Sequence, residues 1–471
     1  KNDEYFSEYI SEHNDRLNYI SNFSGSYGFS LILKDKNYLF VDGRYTLQAT
    51  KQSGKYFKII TFPNKMPHQI FKNKKLVIGF DPKILTTSIF KNFFKSKNLR
   101  YKSIKDNLID RIWKRNQKLK KNNFYYLPKK SFGESYKSKI NKISTFLKKK
   151  GADFQFITAS ENNAWLLNIR GEDSKYSPIP YCYILIDKYK NILFFSDLKK
   201  ITLDLKNFYK GIKFAEIKTA SKILLGIKKK NFVIDKNTCS FFFEKIISQN
   251  NRILKLSDPI YDLKAIKKKK EIDNIKKAHI YDGVALTKHL FWIKNNFDKK
   301  KITEISSAEK LLNLRKKNKK FKFSSFPTIS GTGPNGAIIH YKASKKSNKI
   351  LKKGDIYLLD SGGQYEFGTT DVTRTISLSN SDKRVKDIYT RVLKAHISVA
   401  RFQLKKNTSG SMIDFNARKY LKQIGLDYAH GTGHGVGYFL NVHEGPHAIS
   451  KKNKINFQQG MIVSNEPGYY E

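Results

Sequence analysis

The sequence predicts a mixed α/β fold: two N-terminal α/β units followed by a third unit of helices and motif-bearing strands. Three observations carry that prediction. At 471 residues the chain exceeds what one ordinary core organises, so two or three domains are expected. Short apolar runs alternate with amphipathic stretches through the first half, the pattern of strands interleaved with helices. Beyond residue 257 the text turns to long helical periodicity, then to glycine-rich strands carrying acids and histidines.

The elements follow in order. Residues 29–45 read as a hairpin with a polar turn at Asp35-Lys36-Asn37. Residues 75–82 read as a strand closed by a turn, then a helix-like stretch to Lys97. Between 123 and 133, Pro128 and Gly133 break the periodicity and mark a linker. Residues 135–153 space Ile140, Ile143 and Leu147 for an amphipathic helix ended by Gly151. FQFITASENNAWLLNIRG reads strand, turn, helix; YCYILIDKYKNILFFS reads as a hairpin; residues 230–235 read as a strand. Helical spacing fills 257–293, and a second helix starts at a capping box of Thr303 and Ser306. Residues 324–341 read as strand, glycine-rich turn and strand. The expected domains are 1–128, 129–262 and 263–471.

Composition excludes several classes. An apolar content of 39% argues against disorder. No run approaches 18 uncharged apolar residues, so no membrane-spanning helix is expected. The formal charge of +51 invites a nucleic-acid reading, but only 13 of the cations are Arg and Lys is spread through every segment. Arg is the residue that forks onto phosphate and bases, so a solvated surface with no specific nucleic-acid partner is expected. Cys182 and Cys239 stand in no thiolate motif. They fit buried apolar positions in a reducing, cytoplasmic setting.

The chemistry gathers near the end of the chain. Asp360 closes LLDSGGQY, Asp371 opens DVTRT, His430 and His434 lie in HGTGHGVG, His443 in NVHEGP and Glu466 in SNEPGYYE. A strand, hairpin and return strand would set both aspartates on one face, with Thr373 pointing the same way as Asp371 toward a bound water. An acid ending an apolar strand is costly unless paired or metal-bound. The glycines of HGTGHGVG disfavour a helix, so this is not the two-histidine helical zinc motif. Five of the ten histidines (340, 430, 434, 443, 447) fall near the acids. Oxygen ligands with one imidazole suit Mn²⁺, Co²⁺, Fe²⁺ or Zn²⁺. Two such ions about 3.5–4 Å apart would share carboxylates and activate a water for hydrolysis.

On NFSGSYGFSLI, VDGRYTLQA, AWLLNIRG, SFPTISGTGPNGAIIHY, LLDSGGQYEFGTTDVTRT, HGTGHGVGYFLNVHEGP and VSNEPGYYE, the chain resembles the three-domain Xaa-Pro aminopeptidases of the pita-bread metallopeptidase family M24. The resemblance implies two creatinase/prolidase-like N-terminal domains and a pita-bread catalytic domain. It implies Asp360, Asp371, His434 and Glu466 as ligands of two divalent ions, Mn²⁺ first, with Zn²⁺ or Co²⁺ as alternatives. A further glutamate is expected beyond Glu471, and an opening strand before Lys1. A bridging hydroxide would be the nucleophile and Glu466 its proton shuttle, while His340, His430 and His443 bind substrate and stabilise the tetrahedral intermediate. His447, Arg44 and Trp165 are expected to be structural. Peptides with proline second are the implied substrates, and a homodimer the implied assembly. The alternatives are a prolidase acting on Xaa-Pro dipeptides and an inactive pita-bread module that binds peptides.

Overall fold

Alternating burial along the strands and helical spacing between them build two bodies, Lys1–Tyr261 and Asp262–Glu471, in a computed structural model that describes residues 1–70, 75–94, 99–115 and 122–471.

In the first body, the expected hairpin pairs Gly28–Ile32 antiparallel with Asn37–Asp42, and Lys58–Phe62 adds in parallel. Successive side chains of the middle strand feed different cores, as a period of two requires. Leu39 and Val41 pack with Leu17, Phe23 and Tyr45, whereas Phe40 packs with Leu31, Ile60 and Leu99. The helix expected to reach Lys97 spans Thr87–Phe94; residues 95–98 lie outside the described residues.

The stretch read as a linker is structured instead. Tyr125–Tyr126 pair antiparallel with Ile169–Arg170, and Phe124 and Leu127 are buried on either side. Apolar side chains flanking a proline gain from burial what the proline loses only at its own N–H. A six-stranded sheet follows, in the order Ile212–Glu216, Ile192–Ser196, Tyr183–Asp187, Phe154–Ile157, Asn231–Asp235, Arg252–Leu256. The helix Tyr136–Lys149 buries Ile140, Ile143 and Leu147 and ends before Gly151, whose φ of 62° makes glycine apt. Cys182 and Cys239 are free and buried.

The second body begins with α1 (Lys269–Asn296) and α2 (Glu304–Lys316), the latter capped reciprocally by Thr303 and Ser306 as the sequence predicts. Its strands are β1 (Phe321–Ser324), β2 (Ile329–Thr332), β3 (Ile356–Ser361), β4 (Gly363–Tyr365), β5 (Gly368–Thr369), β6 (Val372–Ser377), β7 (Gly433–Gly435) and β8 (Glu444–Ile449). Helices α3 (Lys383–Ala400) and α4 (Gly410–Lys422) lie between β6 and β7 in the chain. β2, β3 and β6 form one antiparallel sheet; β1, β4 and β5 form another.

The second strand expected within 324–341 does not form. Residues 336–341 make turns, because the buried Glu304 carboxylate gathers that segment around itself. It accepts from Thr332 N (2.9 Å), Asn335 Nδ2 (3.0 Å), Tyr341 Oη (2.8 Å) and Lys349 N (3.0 Å). A buried carboxylate satisfied by four donors outweighs the weak strand tendency of six residues.

Behind β3 lies a fully buried ion pair. Arg315 of α2 reaches Asp282 of α1 through Nε (2.7 Å) and Nη2 (2.9 Å), and Nη2 also meets Ser361 Oγ at 3.0 Å. Tyr365 Oη donates to the same aspartate at 2.8 Å. Among the described residues, no helix is long and apolar enough to cross a membrane.

Two stability predictions follow from these buried groups. Arg315→Ala strands the Asp282 charge and destabilises the second body by about 3–5 kcal/mol, read as a lowered denaturant midpoint. Burial, then the nearby Arg315 and Lys310 charges, push the His289 imidazole down from 6.5 to about 4. The folded protein therefore keeps His289 neutral, while the unfolded chain binds a proton below its ordinary value. Stability is complete above that value and falls as pH drops toward 4, by up to about 3 kcal/mol. His289→Gln should flatten this limb of the stability curve; an unchanged slope from pH 7 to 4 would refute the assignment.

Candidate metal centre

β3 alternates strictly. Tyr357, Leu359 and Ser361 are buried on the face toward the helices, so Asp360 projects from the other. Registration with β6 sets Asp360 opposite Thr373 and Ser361 opposite Val372, with Ile329 of β2 on the other side. The intervening residues 362–370 fold out through the β4–β5 hairpin and return, delivering Asp371 to the start of β6 beside Asp360.

His434 sits in β7, paired with Ala448 of β8. Its backbone is clasped by Ser464, whose Oγ accepts from His434 N at 2.9 Å and whose N donates to His434 O at 2.8 Å. The glycines on either side permit this closeness. A Cβ at Gly433 would stand 2.0 Å from Ser464 O, and one at Gly435 would stand 2.2 Å from Glu444 O. The run HGTGHG is therefore glycine-rich because backbone meets backbone there.

These elements converge. His434 Nε2 lies 3.2 Å from Asp371 Oδ2 and 3.1 Å from Glu466 Oε1, and one ligand atom from each of the three residues lies within 4.8 Å of the others. Ser464 Oγ donates to Glu466 Oε1. Asp360 adjoins the trio, and Thr373 hydrogen-bonds its carboxyl. Its Oδ1 is sealed from solvent and meets no hydrogen-bond donor among the described residues.

The electrostatics follow from crowding. Burial, reinforced by the charges of Asp371 and Glu466, pushes the Asp360 carboxyl well above the usual carboxylate range. Burial also works against a charged His434, yet the hydrogen bonds and charges of Asp371 and Glu466 outweigh it and raise that imidazole. Burial opposes ionisation of Glu466 as well, but its contact with His434 dominates and holds it at about 2. Three acids are thus gathered around one imidazole whose proton answers part of their charge.

The other histidines divide. The exposed His443 stacks obliquely on His434, ring centroids 4.1 Å apart. Half-buried His430 turns Nδ1 to Gly431 O at 2.7 Å, and its ring meets Tyr470 edge-on at 5.4 Å. His340 lies half-buried in the turn held by Glu304, one residue before Tyr341. His447 is buried with Nε2 on Ile462 O at 2.8 Å, and burial lowers its pKa, so its part is structural. Trp165 is buried and Arg44 pairs with Asp42 at 2.7 Å.

Sequence reading missed Ser464 and Tyr470. Ser464 stands two residues before Glu466 in extended chain, and a period of two would have found it. Tyr470 carried no such signal. Burial and the charges of Asp360 and Glu466 push its hydroxyl well above the ordinary value, which marks it as close to the acids.

The donor set suits hard or borderline divalent ions: three carboxylates, one imidazole and no thiolate. The buried Asp360 oxygen beside two further acids is the kind of group a cation satisfies.

The chain is similar to known proteins along its whole length. Residues 273–471 match the model of metallopeptidase family M24, and residues 2–110 and 115–271 match creatinase/prolidase N-terminal domains. A protein of Laccaria bicolor named probable Xaa-Pro aminopeptidase P is 39% identical, over 99% of this chain and 76% of its own length. The crystal structure of a Caenorhabditis elegans X-prolyl aminopeptidase, described as a cytosolic enzyme with a di-nuclear active site, superposes with a TM-score of 0.94 at 30% identity. That likeness covers all of this chain and 80% of that one. A Xaa-Pro dipeptidase from Bacillus anthracis is 25% identical with a TM-score of 0.59, covering 72% of this chain and 91% of that one. The chain belongs to metallopeptidase family M24, with two creatinase/prolidase-type N-terminal regions ahead of its pita-bread domain.

Proposed function

We propose that Asp360, Asp371, His434 and Glu466 hold two divalent cations, Mn²⁺ first among them, in an enzyme that removes an N-terminal residue preceding proline. The chain is an Xaa-Pro aminopeptidase: its likeness to proteins of that name runs through its whole length. The observation that carries the site assignment is the convergence of Asp371, His434 and Glu466 within 4.8 Å, beside the buried Asp360.

Divalent cations, when bound, polarise a carbonyl and make water acidic enough to serve as a nucleophile near neutral pH. The chain's own residues supply the rest. Glu466, held at Oε1 by Ser464 and His434, takes a proton from the attacking water and returns it to the leaving nitrogen. His443 donates to the scissile carbonyl as charge develops on its oxygen, and His340 and His430 bind the peptide; preorganised donors at that point are commonly the largest catalytic contribution. Thr373, opposite Asp360, orients that carboxyl through its hydroxyl. Proline lacks an amide proton, so a peptidase that grips that proton fails here, and one that reads carbonyls through histidines does not.

The assembly as a homodimer, a cytoplasmic location and the division of the first 262 residues near position 128 belong to the same proposal. The likeness along the whole chain to proteins named Xaa-Pro aminopeptidase supports peptides longer than two residues as substrates.

Three kinetic outcomes are expected of the full-length Mn²⁺-loaded protein and its variants. It should release the first residue from an Arg-Pro-Pro-type peptide faster than it cleaves the matching Xaa-Pro dipeptide; the reverse order would make it a prolidase. Asp371→Ala should reduce turnover to background, and His443→Ala should lower kcat by about 100- to 1,000-fold. Full activity in Asp371→Ala would sink the site.

A further inference from the structure

The loop carrying His430 is fastened from behind by a buried cation that the peptide chemistry leaves unused. Arg418 lies on α4, where Ile413, Ala417 and Leu421 form the apolar stripe and Asp414 and Arg418 share the neighbouring one, four residues apart. Both charged side chains are almost wholly buried, Arg418 at 3% and Asp414 at 1% exposure. Guanidinium geometry distributes the contacts. Nε donates to Asp414 Oδ2 (2.7 Å), Nη1 to Asp427 Oδ1 (2.6 Å) and Tyr428 O (2.8 Å), and Nη2 to His430 O (2.6 Å). The guanidinium carbon also stands 3.9 Å from the centre of the Tyr428 ring.

The second oxygen of Asp414 completes the clasp. It accepts from Thr432 Oγ1 at 2.6 Å, and Thr432 Oγ1 also meets Tyr428 Oη at 2.5 Å. The Thr432 carbonyl in turn accepts from Glu466 N at 2.8 Å. One ion pair therefore grips the chain on both sides of Gly431, at the His430 carbonyl and the Thr432 hydroxyl, and through Thr432 reaches the segment that carries Glu466. Lysine cannot replace this. Its ammonium is a point charge, whereas the planar fork meets two carboxylates and two carbonyls at fixed angles.

We infer that Arg418, anchored by Asp414, is a positioning residue that sets His430 for substrate binding. The inference rests on the reading of His430 as a substrate-binding histidine. Arg418 touches neither the metal ligands' side chains nor the peptide; it acts through the backbone of 428–432. A displacement on the scale of an ångström at such a group costs about 100-fold.

The test is a double-mutant cycle of Arg418→Lys with His430→Ala in the full-length, Mn²⁺-loaded protein on an Xaa-Pro-Yaa peptide. It is paired with calorimetric affinity of the metal-free protein for a non-hydrolysable analogue of that peptide. Arg418→Lys alone should lower kcat/KM by about 10- to 100-fold, chiefly through KM, with a matching loss of analogue affinity. In the His430→Ala background the same change should cost no more than about twofold, since the two act as a unit. Equal penalties in both backgrounds, or unchanged analogue affinity, would overturn the proposal. Wild-type kinetics in His430→Ala would refute the role of His430 itself, a separate failure. If Arg418→Lys does not fold, Thr432→Val probes the same clasp by removing one hydroxyl, and the same non-additivity with His430→Ala is required.

Discussion

Everything in the second body answers one constraint: three carboxylates must be held close together, partly out of water, against their mutual repulsion. Like charges at such range shift one another's protonation and drive the chain apart unless positive charge and stiff backbone oppose them. The imidazole of His434 supplies some of that charge in the present arrangement, between Asp371 and Glu466. The stiffness comes from pairing. Asp360 and Asp371 sit where β3 and β6 run in register, and His434 and Glu466 are bound to each other's segments through Ser464. A pair of divalent cations would meet the same demand with more charge, which is why the site reads as metal-seeking rather than as a surface cluster.

The backing of the site repeats one device. Arg315–Asp282 bonds Ser361, the neighbour of Asp360. Arg418–Asp414 bonds His430 and Thr432. Lys267 pairs with Glu444, the neighbour of His443, and Glu304 gathers the turn that ends at Tyr341, beside His340. Each of these buried charged groups touches, or is itself, a residue that is or adjoins a chemically active one. Buried ion pairs contribute little net stability compared with apolar packing, but removing one partner is severe. Their effect here is to fix backbone position, which a metal site with several strands converging on it needs more than it needs a larger core.

The sequence made the chemistry more legible than the architecture behind it. Asp360, Asp371, His434 and Glu466 announce themselves because acids and imidazoles beside glycines and apolar strand ends have few structural uses. Hairpins and helices were legible where periodicity was strong, as at 29–45 and 135–153. The reading failed where a distant side chain decided local structure. Residues 336–341 look like a strand, but Glu304 bends them into turns from more than thirty positions away. The expected linker at 123–133 pairs with Ile169–Arg170 because its apolar side chains Phe124 and Leu127 are buried, and nothing local reveals that partner. Arg418 was hidden for the same reason: among 91 cations, nothing local marks the one that meets these carbonyls after folding.

The central claim is that these carboxylates form a cation-binding site, and calorimetric titration of the metal-free, full-length protein with Mn²⁺ tests it most directly. The account predicts saturable uptake of two ions per chain with a rise in melting temperature, both abolished by Asp360→Asn. Uptake by Asp360→Asn equal to that of the unmodified protein, or no saturable uptake by either, would contradict it.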